Sequence, residues 1–201
     1  MIHLAAGALG GERRILALRT LIIEGAGTNP NVGQNRNPDD PLPDWKVTDY
    51  RKVIDLVRER MQVRQRRQAQ FPSAMSNDLR QILALDGNVA FSVAAGGKAT
   101  RASEAVAKER RIELLGNPIS AVRAALDPAA KLGRLHKEGA MQLVDVITPS
   151  GDHLTLAIYE GTHLPSSVRW LSASNNLGDI YNETLFLNHK RSAASSCPNA
   201  T

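Results

Sequence analysis

The pattern of apolar and polar positions is clearest in the last quarter of the chain, residues 141–188. An apolar run leads into a Pro-Ser-Gly-Asp cluster at 149–152, and the chain then alternates apolar and polar residues from Leu154 to Tyr159. Period-two alternation around such a cluster is typical of a β-hairpin. Further turns are predicted at 160–163 and 175–178, so this quarter is predicted to form four strands of an antiparallel meander.

The first hundred residues predict one short helix and five more strands. The helix is expected over 5–18, where three glycines weaken it. Residues 28–43 are rich in Asn, Asp and Pro and therefore predict a long irregular loop. The five predicted strands are Thr20–Gly27, Trp45–Leu56, Met61–Gln68, Leu79–Leu85 and Val89–Val93.

A helical pair is predicted over residues 102–127. From Ala102 to Leu115, apolar residues recur at spacings of three and four, opposite a charged face. Gly116 ends this helix, and Pro118 begins a second one that runs to Leu126. The order of strands, helical pair and strands predicts an α+β fold with the helices packed on one face of a mostly antiparallel sheet.

Composition sets the size and class of the protein. The chain has 201 residues, of which 42% are hydrophobic, and it contains no apolar run near the roughly 18 residues that a membrane span requires. We therefore expect a soluble chain without a transmembrane segment, with a single β-rich module over 1–188. The small and polar residues of 189–201 predict a disordered or aberrant tail.

The net charge of +5 makes nucleic acid a partner to consider. The densest basic stretch, residues 58–67, alternates arginines with residues such as Met61 and Val63, and no aromatic residues lie between them to stack on bases. This pattern favours the solvent-exposed face of a strand pair over a nucleic-acid site. A weak contact with an anionic surface is the alternative.

Motifs for catalysis or metal binding are missing from the sequence. The five histidines lie far apart, without H-x-H or H-E-x-x-H spacing, and the glycine clusters do not match a phosphate loop or a dinucleotide fingerprint. No serine lies in a G-x-S-x-G or S-x-x-K context, and the single cysteine, Cys197, lies in the predicted tail. The sequence therefore predicts no catalytic residues, no metal ligands and no cofactor in this chain.

Several segments between Ala5 and Leu187 resemble the part that precedes the catalytic domain in bacterial hydrolases of the metallo-β-lactamase fold. The most specific are "RAALDPAAKLG" and the T-x-LP…N-x-LGD pattern formed by Thr162, Leu164, Pro165 and residues 176–179. Longer segments that share the resemblance include "AAGALGGERRILALRTLIIEGAGTNPNVGQN", "WKVTDYRKVIDL", "ALDGNVAFSV" and "TRASEAVAKERRIELLGNPIS".

The resemblance implies a fold and a partner. In that family the segment is similar to the half-open β-barrel of periplasmic lipoprotein carriers, a curved antiparallel sheet with helices against its concave face. The catalytic zinc ions belong to the following hydrolase domain, whose H-x-H-x-D-H run coordinates the metal and activates water. That run does not occur here, so zinc is expected only in the hydrolase domain, which is then the expected partner.

Three hypotheses follow for function. The first is a non-catalytic accessory module of such a hydrolase, in a truncated or frameshifted copy whose last strand is left with an open edge. The second is a free-standing carrier of an acyl chain or another hydrophobic ligand, and the third is a hydrolase with an unrecognised site. The residues expected to line a carrier's hydrophobic cavity are Tyr50, Phe91, Ile112, Ile119, Val122 and Trp170.

Two expectations concern the compartment. The family resemblance implies a periplasmic or secreted protein. The first residues, "MIHLAAGALGGERR", lack the basic start and long apolar stretch of a secretory signal. The chain as written is therefore expected to stay in the cytoplasm.

Overall fold

The computed structural model describes residues 1–31, 35, 37, 39–72, 77–94, 96–174 and 178–190. These residues form two antiparallel sheets and four helices, so the predicted α+β class is confirmed. The first sheet is a meander in which each strand pairs with the next along the chain. Its strands are β1 (Thr20–Pro30), β2 (Asp44–Asp55), β3 (Arg60–Ala69), β4 (Asp78–Asp86), β5 (Val89–Val93) and β6 (Ala99–Arg101).

The second sheet is also a meander, with the strand order β11-β10-β9-β8-β7. Its last four strands are those that the alternation pattern predicts for the last quarter of the chain, and the antiparallel meander is confirmed there. The predicted turn at 175–178 lies mostly outside the described residues. The strands are β7 (Lys131–Glu138), β8 (Met141–Ile147), β9 (His153–Tyr159), β10 (Pro165–Ser174) and β11 (Gly178–Leu185).

Four helices accompany the sheets: α1 (Ile2–Ala8), α2 (Glu12–Ala17), α3 (Glu104–Leu115) and α4 (Pro118–Leu126). The last two are the predicted helical pair. Ser103 and Asn117 cap their first turns, because each side-chain oxygen accepts a hydrogen bond from a backbone N–H three residues further on. None of the helices within the described ranges has the length and apolar character needed to span a membrane.

Two apolar clusters fill the space between helices and sheets. In the first sheet, Ile54, Met61 and Leu85 are buried together with residues of α3. In the second sheet, Leu156 and Val168 are buried against α1, α2 and α4. Burying one such side chain stabilises the fold by roughly 1.5 to 3 kcal/mol, so these clusters hold the helices on the sheets.

Leu115 and the ion pair of Arg111 with Asp152 are among the contacts that connect the first sheet with the second sheet. Leu115, at the end of α3, packs against both clusters. One turn earlier, the guanidinium of Arg111 binds both carboxylate oxygens of Asp152, in the turn before β9, and its Nη1 donates to Asn88 in the turn before β5. Helix α3 is therefore tied by Arg111 to a turn of each sheet.

The structure corrects several boundaries. The single helix expected over 5–18 is two helices, because Gly10 and Gly11 adopt positive φ angles of 109° and 110° that interrupt the helix. The irregular loop expected over 28–43 starts later, since β1 continues to Pro30. Strands β6 and β7 were not predicted, and the fold has two sheets where one curved sheet was expected.

Candidate functional site

The six residues predicted to line a cavity are divided between different environments. Val122 is buried in the cluster of the second sheet, and Ile119 and Trp170 pack against the same cluster. Tyr50 packs against the cluster of the first sheet, and Ile112 is buried in α3. Phe91 lies next to Ala90 on β5, so its side chain points to the opposite face of the sheet.

The space between the helix pair and the sheets is small. A cavity of about 150 Å³ lies there, lined by apolar side chains such as Leu114 and Leu115 and by charged ones such as Arg111 and Arg123. Ligand sites typically measure about 300 to 1,000 Å³. Side chains therefore fill most of this interior.

A second cleft lies where α1 and α4 approach β7. It measures about 320 Å³, and the side chains that line it are apolar apart from His3, with backbone groups also exposed to it. Leu132 and Leu135 of β7 contribute to it and remain exposed at its mouth. Its size is at the lower end of the range for ligand sites.

A partly buried polar contact joins β2 to α3. The Nζ of Lys52 donates to the Oε1 of Glu113 at 2.8 Å and to the Glu113 carbonyl oxygen at 3.1 Å. Tyr50 lies on the same face of β2, and burial, followed by the nearby Glu113 charge, raises the pKa of its phenol to about 12. This contact holds the end of α3 on the first sheet.

The raised pKa of Tyr50 gives a testable pH dependence. An unperturbed tyrosine has a pKa of about 10, so the folded state keeps the proton that the unfolded state loses. The stability that Tyr50 contributes is thus complete below pH 10 and falls as the pH rises through about 12. We expect tyrosinate absorbance to show a component with a midpoint near 12 that disappears in Tyr50→Phe. A midpoint near 10 for that component would contradict this assignment.

The basic stretch of β3 divides between the two faces of the sheet. Arg60 and Arg64 are exposed, as expected for a solvent face. Arg67 instead lies on the same face as Met61 and Val63, with its guanidinium 4.7 Å from the ring centre of Trp45. The sequence pattern could not show this, because the contact depends on pairing between β2 and β3.

The outer edge of the second sheet is apolar. Strand β11 pairs with β10 on one side, and in the described part of the chain no strand pairs with its other side. Three large apolar side chains on or just after this strand are exposed: Tyr181 (83%), Leu185 (60%) and Leu187 (69%). We call these three residues with the free edge of β11 the β11 edge surface.

Two further findings concern metal ligands and related proteins. Within the described ranges, no three His, Cys, Asp or Glu side chains converge as a metal site requires. Comparison of the sequence with models of protein families finds no match, and comparison with curated proteins finds none either.

Proposed function

We propose that this chain is a non-catalytic module of a metal-dependent hydrolase of the metallo-β-lactamase fold, and that it packs against the hydrolase domain. The proposal takes its partner from the resemblance of "RAALDPAAKLG" and the T-x-LP motif to that family. The structural observation that supports it is the β11 edge surface. An uncovered edge strand with exposed apolar side chains is a liability that proteins normally cover with other chain.

The half-open barrel is part of this proposal. In it, the two meanders together form the curved wall of the half-open barrel, and the hydrolase domain extends the wall beyond β11. By the same resemblance the working protein is extracytoplasmic. The zinc ions and their ligands belong to the hydrolase domain, and this chain contributes packing surface and no catalytic group.

The test of a non-catalytic role is a hydrolysis panel. The isolated chain, at high concentration and with and without added zinc, is assayed on a β-lactam, a lactone and a phosphodiester. We expect rates equal to those of buffer with zinc alone. Zinc-dependent turnover that co-elutes with the folded chain would show that the chain is itself a hydrolase and would overturn the proposal.

A carrier of hydrophobic ligands is the second candidate, and the cleft of about 320 Å³ beside β7 favours it. Its apolar lining suits a short acyl chain, whereas the filled interior near α3 and α4 does not. Saturable binding of laurate that is lost in Leu135→Asp would select the carrier, because Leu135 lies at the mouth of the cleft. A matched Val89→Asp variant, also at an exposed apolar strand position, should leave that binding unchanged.

A further inference from the structure

The guanidinium of Arg67 has fewer hydrogen-bond partners than its burial demands. Alternation along β3 places Arg67 on the face of the first sheet that carries Met61 and Val63. It lies four residues beyond Val63, roughly 13 Å further along the strand, and therefore past the apolar cluster that α3 covers. The proposed function gives this end of the sheet no role, so an inference about it stands or falls independently.

Strand pairing places an amide and an aromatic ring beside Arg67. Asn29 on β1 lies opposite Trp45 on β2, and Val47, two residues after Trp45, lies opposite Arg67. The side chains of Asn29, Trp45 and Arg67 therefore share one face of the sheet. The guanidinium carbon lies 4.7 Å from the Trp45 ring centre, and Phe71 contacts that ring edge to face at 5.4 Å.

The polar contacts of Arg67 leave one buried donor unpaired. Its Nη2 donates to Asn29 Oδ1 at 2.7 Å, whereas its Nε is buried and has no hydrogen-bond partner within the described ranges. All 20 Asp and Glu residues of the chain lie in those ranges, and none of them forms an ion pair with Arg67. Burial without a neighbouring carboxylate lowers the pKa of Arg67. A cation in such surroundings is costly unless an anion or further acceptors reach it.

A second buried arginine shows how this fold satisfies a guanidinium. Arg110 of α3 donates from Nη1 to the carbonyl oxygens of Ala84 and Phe91, at 3.0 and 2.7 Å, and from Nη2 to the Ser92 hydroxyl at 3.1 Å. Oxygen atoms of the neighbouring strands thus surround its cation. The unpaired Nε is therefore particular to Arg67 and does not follow from burying an arginine in this fold.

The unpaired atom belongs to the edge of the guanidinium that binds carboxylates elsewhere in the chain. Nε and Nη2 of an arginine donate in parallel, which matches the two oxygens of a carboxylate. Arg111 uses this edge for Asp152, with contacts of 2.6 to 2.9 Å, and Arg66 uses it for Asp78. Arg67 presents the same edge to a single amide oxygen, which engages Nη2 and leaves Nε without an acceptor.

Asn29 is the group that a bound carboxylate would displace. It is exposed, near the end of the edge strand β1, so its side chain can turn toward solvent and open the edge of Arg67. A carboxylate oxygen accepts from a guanidinium more strongly than the neutral amide oxygen does. Phe71 contacts the same indole ring and is only partly buried, so it offers an aromatic surface close to this edge.

We propose that Arg67 binds small aromatic carboxylates, whose two oxygens accept from Nε and Nη2 in place of Asn29 while the ring lies against Phe71. The test titrates the chain with benzoate, and with neutral benzamide and acetate as matched probes. It follows the NMR signals of the Arg67 Nε–H and the Trp45 indole N–H. We expect benzoate to bind at least tenfold more tightly than either matched probe, because benzamide lacks the charge and acetate lacks the ring.

Variants at Asn29 test the geometry of this site. Asn29→Asp places a tethered carboxylate at the Nε and Nη2 edge, so we expect benzoate affinity to fall at least tenfold and the melting temperature to rise. Asn29→Ala removes the competing amide oxygen, and benzoate should bind this variant at least as tightly as the wild type. Arg64→Gln changes an exposed arginine on the opposite face of β3 and is the control, which should bind benzoate as the wild type does.

Three results would overturn the proposal. The first is equal binding of benzamide or acetate. The second is wild-type benzoate affinity in the Asn29→Asp variant, once circular dichroism shows that it is folded. The third is a benzoate titration that moves backbone signals elsewhere and leaves the Arg67 Nε–H signal unchanged.

Discussion

Replacing Arg111 by alanine is expected to lower the free energy of unfolding by about 3 kcal/mol, because it leaves the Asp152 carboxylate buried without its partner. The side chains of Arg111 and Asp152 are only 17% and 8% exposed, and two of their contacts measure 2.6 and 2.8 Å. For a chain of this length such a loss lowers the melting temperature by roughly 6 to 12 °C. Chemical and thermal denaturation measure both quantities.

Two variants show whether burial and geometry cause this effect. Arg60→Ala removes a similar pair, with a 2.7 Å contact to Asp86, but its side chains are 51% and 54% exposed. We expect this variant to cost less than about 1 kcal/mol. Arg111→Lys keeps the charge and loses the two-pronged contact, so an intermediate cost is expected. Equal costs for Arg111→Ala and Arg60→Ala would show that the contact between α3 and Asp152 contributes little.

The second large effect concerns association. Since β11 presents a free edge with Tyr181 and Leu185 exposed, we expect the isolated chain to associate with increasing concentration, edge to edge. Tyr181→Lys combined with Leu185→Lys places charges along this edge and is expected to give a monomer by light scattering. Val57→Lys, which changes an exposed apolar residue in the turn before β3, is the control and should still associate. A monodisperse wild-type monomer would contradict this expectation.

The sequence predicts strands well where one face is buried. In β8 to β11 and in β2 to β5, either an apolar run or apolar–polar alternation marks the strand because side chains there are buried, and the predicted strands match those observed within a few residues. Strands β6 and β7 lie at sheet edges and bury little: all three residues of β6 are exposed, and in β7 only His136 is partly covered. Without a buried face, these two strands have no alternation to detect.

The candidate sites were less predictable than the fold. The size of an interior cavity depends on how closely a helix approaches a sheet, and α4 approaches closely because its buried residues include the small Ala121 and Ala125. The positions of polar side chains on the second sheet depend on the register of β8, β9 and β10, which brings Asp145 and Arg169 into one row. Charged residues within the meander were visible in the sequence. Their alignment follows only from strand pairing.

Amide hydrogen exchange of β11 tests most directly whether the β11 edge surface receives a hydrolase domain. The chain is compared alone and joined to the hydrolase domain of a protein in which the "RAALDPAAKLG" and T-x-LP motifs precede an H-x-H-x-D-H run. We predict that the outward-facing amides of Gly178–Leu185 exchange at least tenfold more slowly in the joined protein, while those of β6, an edge strand of the first sheet at Ala99–Arg101, are unchanged. Equal exchange of β11 in both proteins would contradict the account.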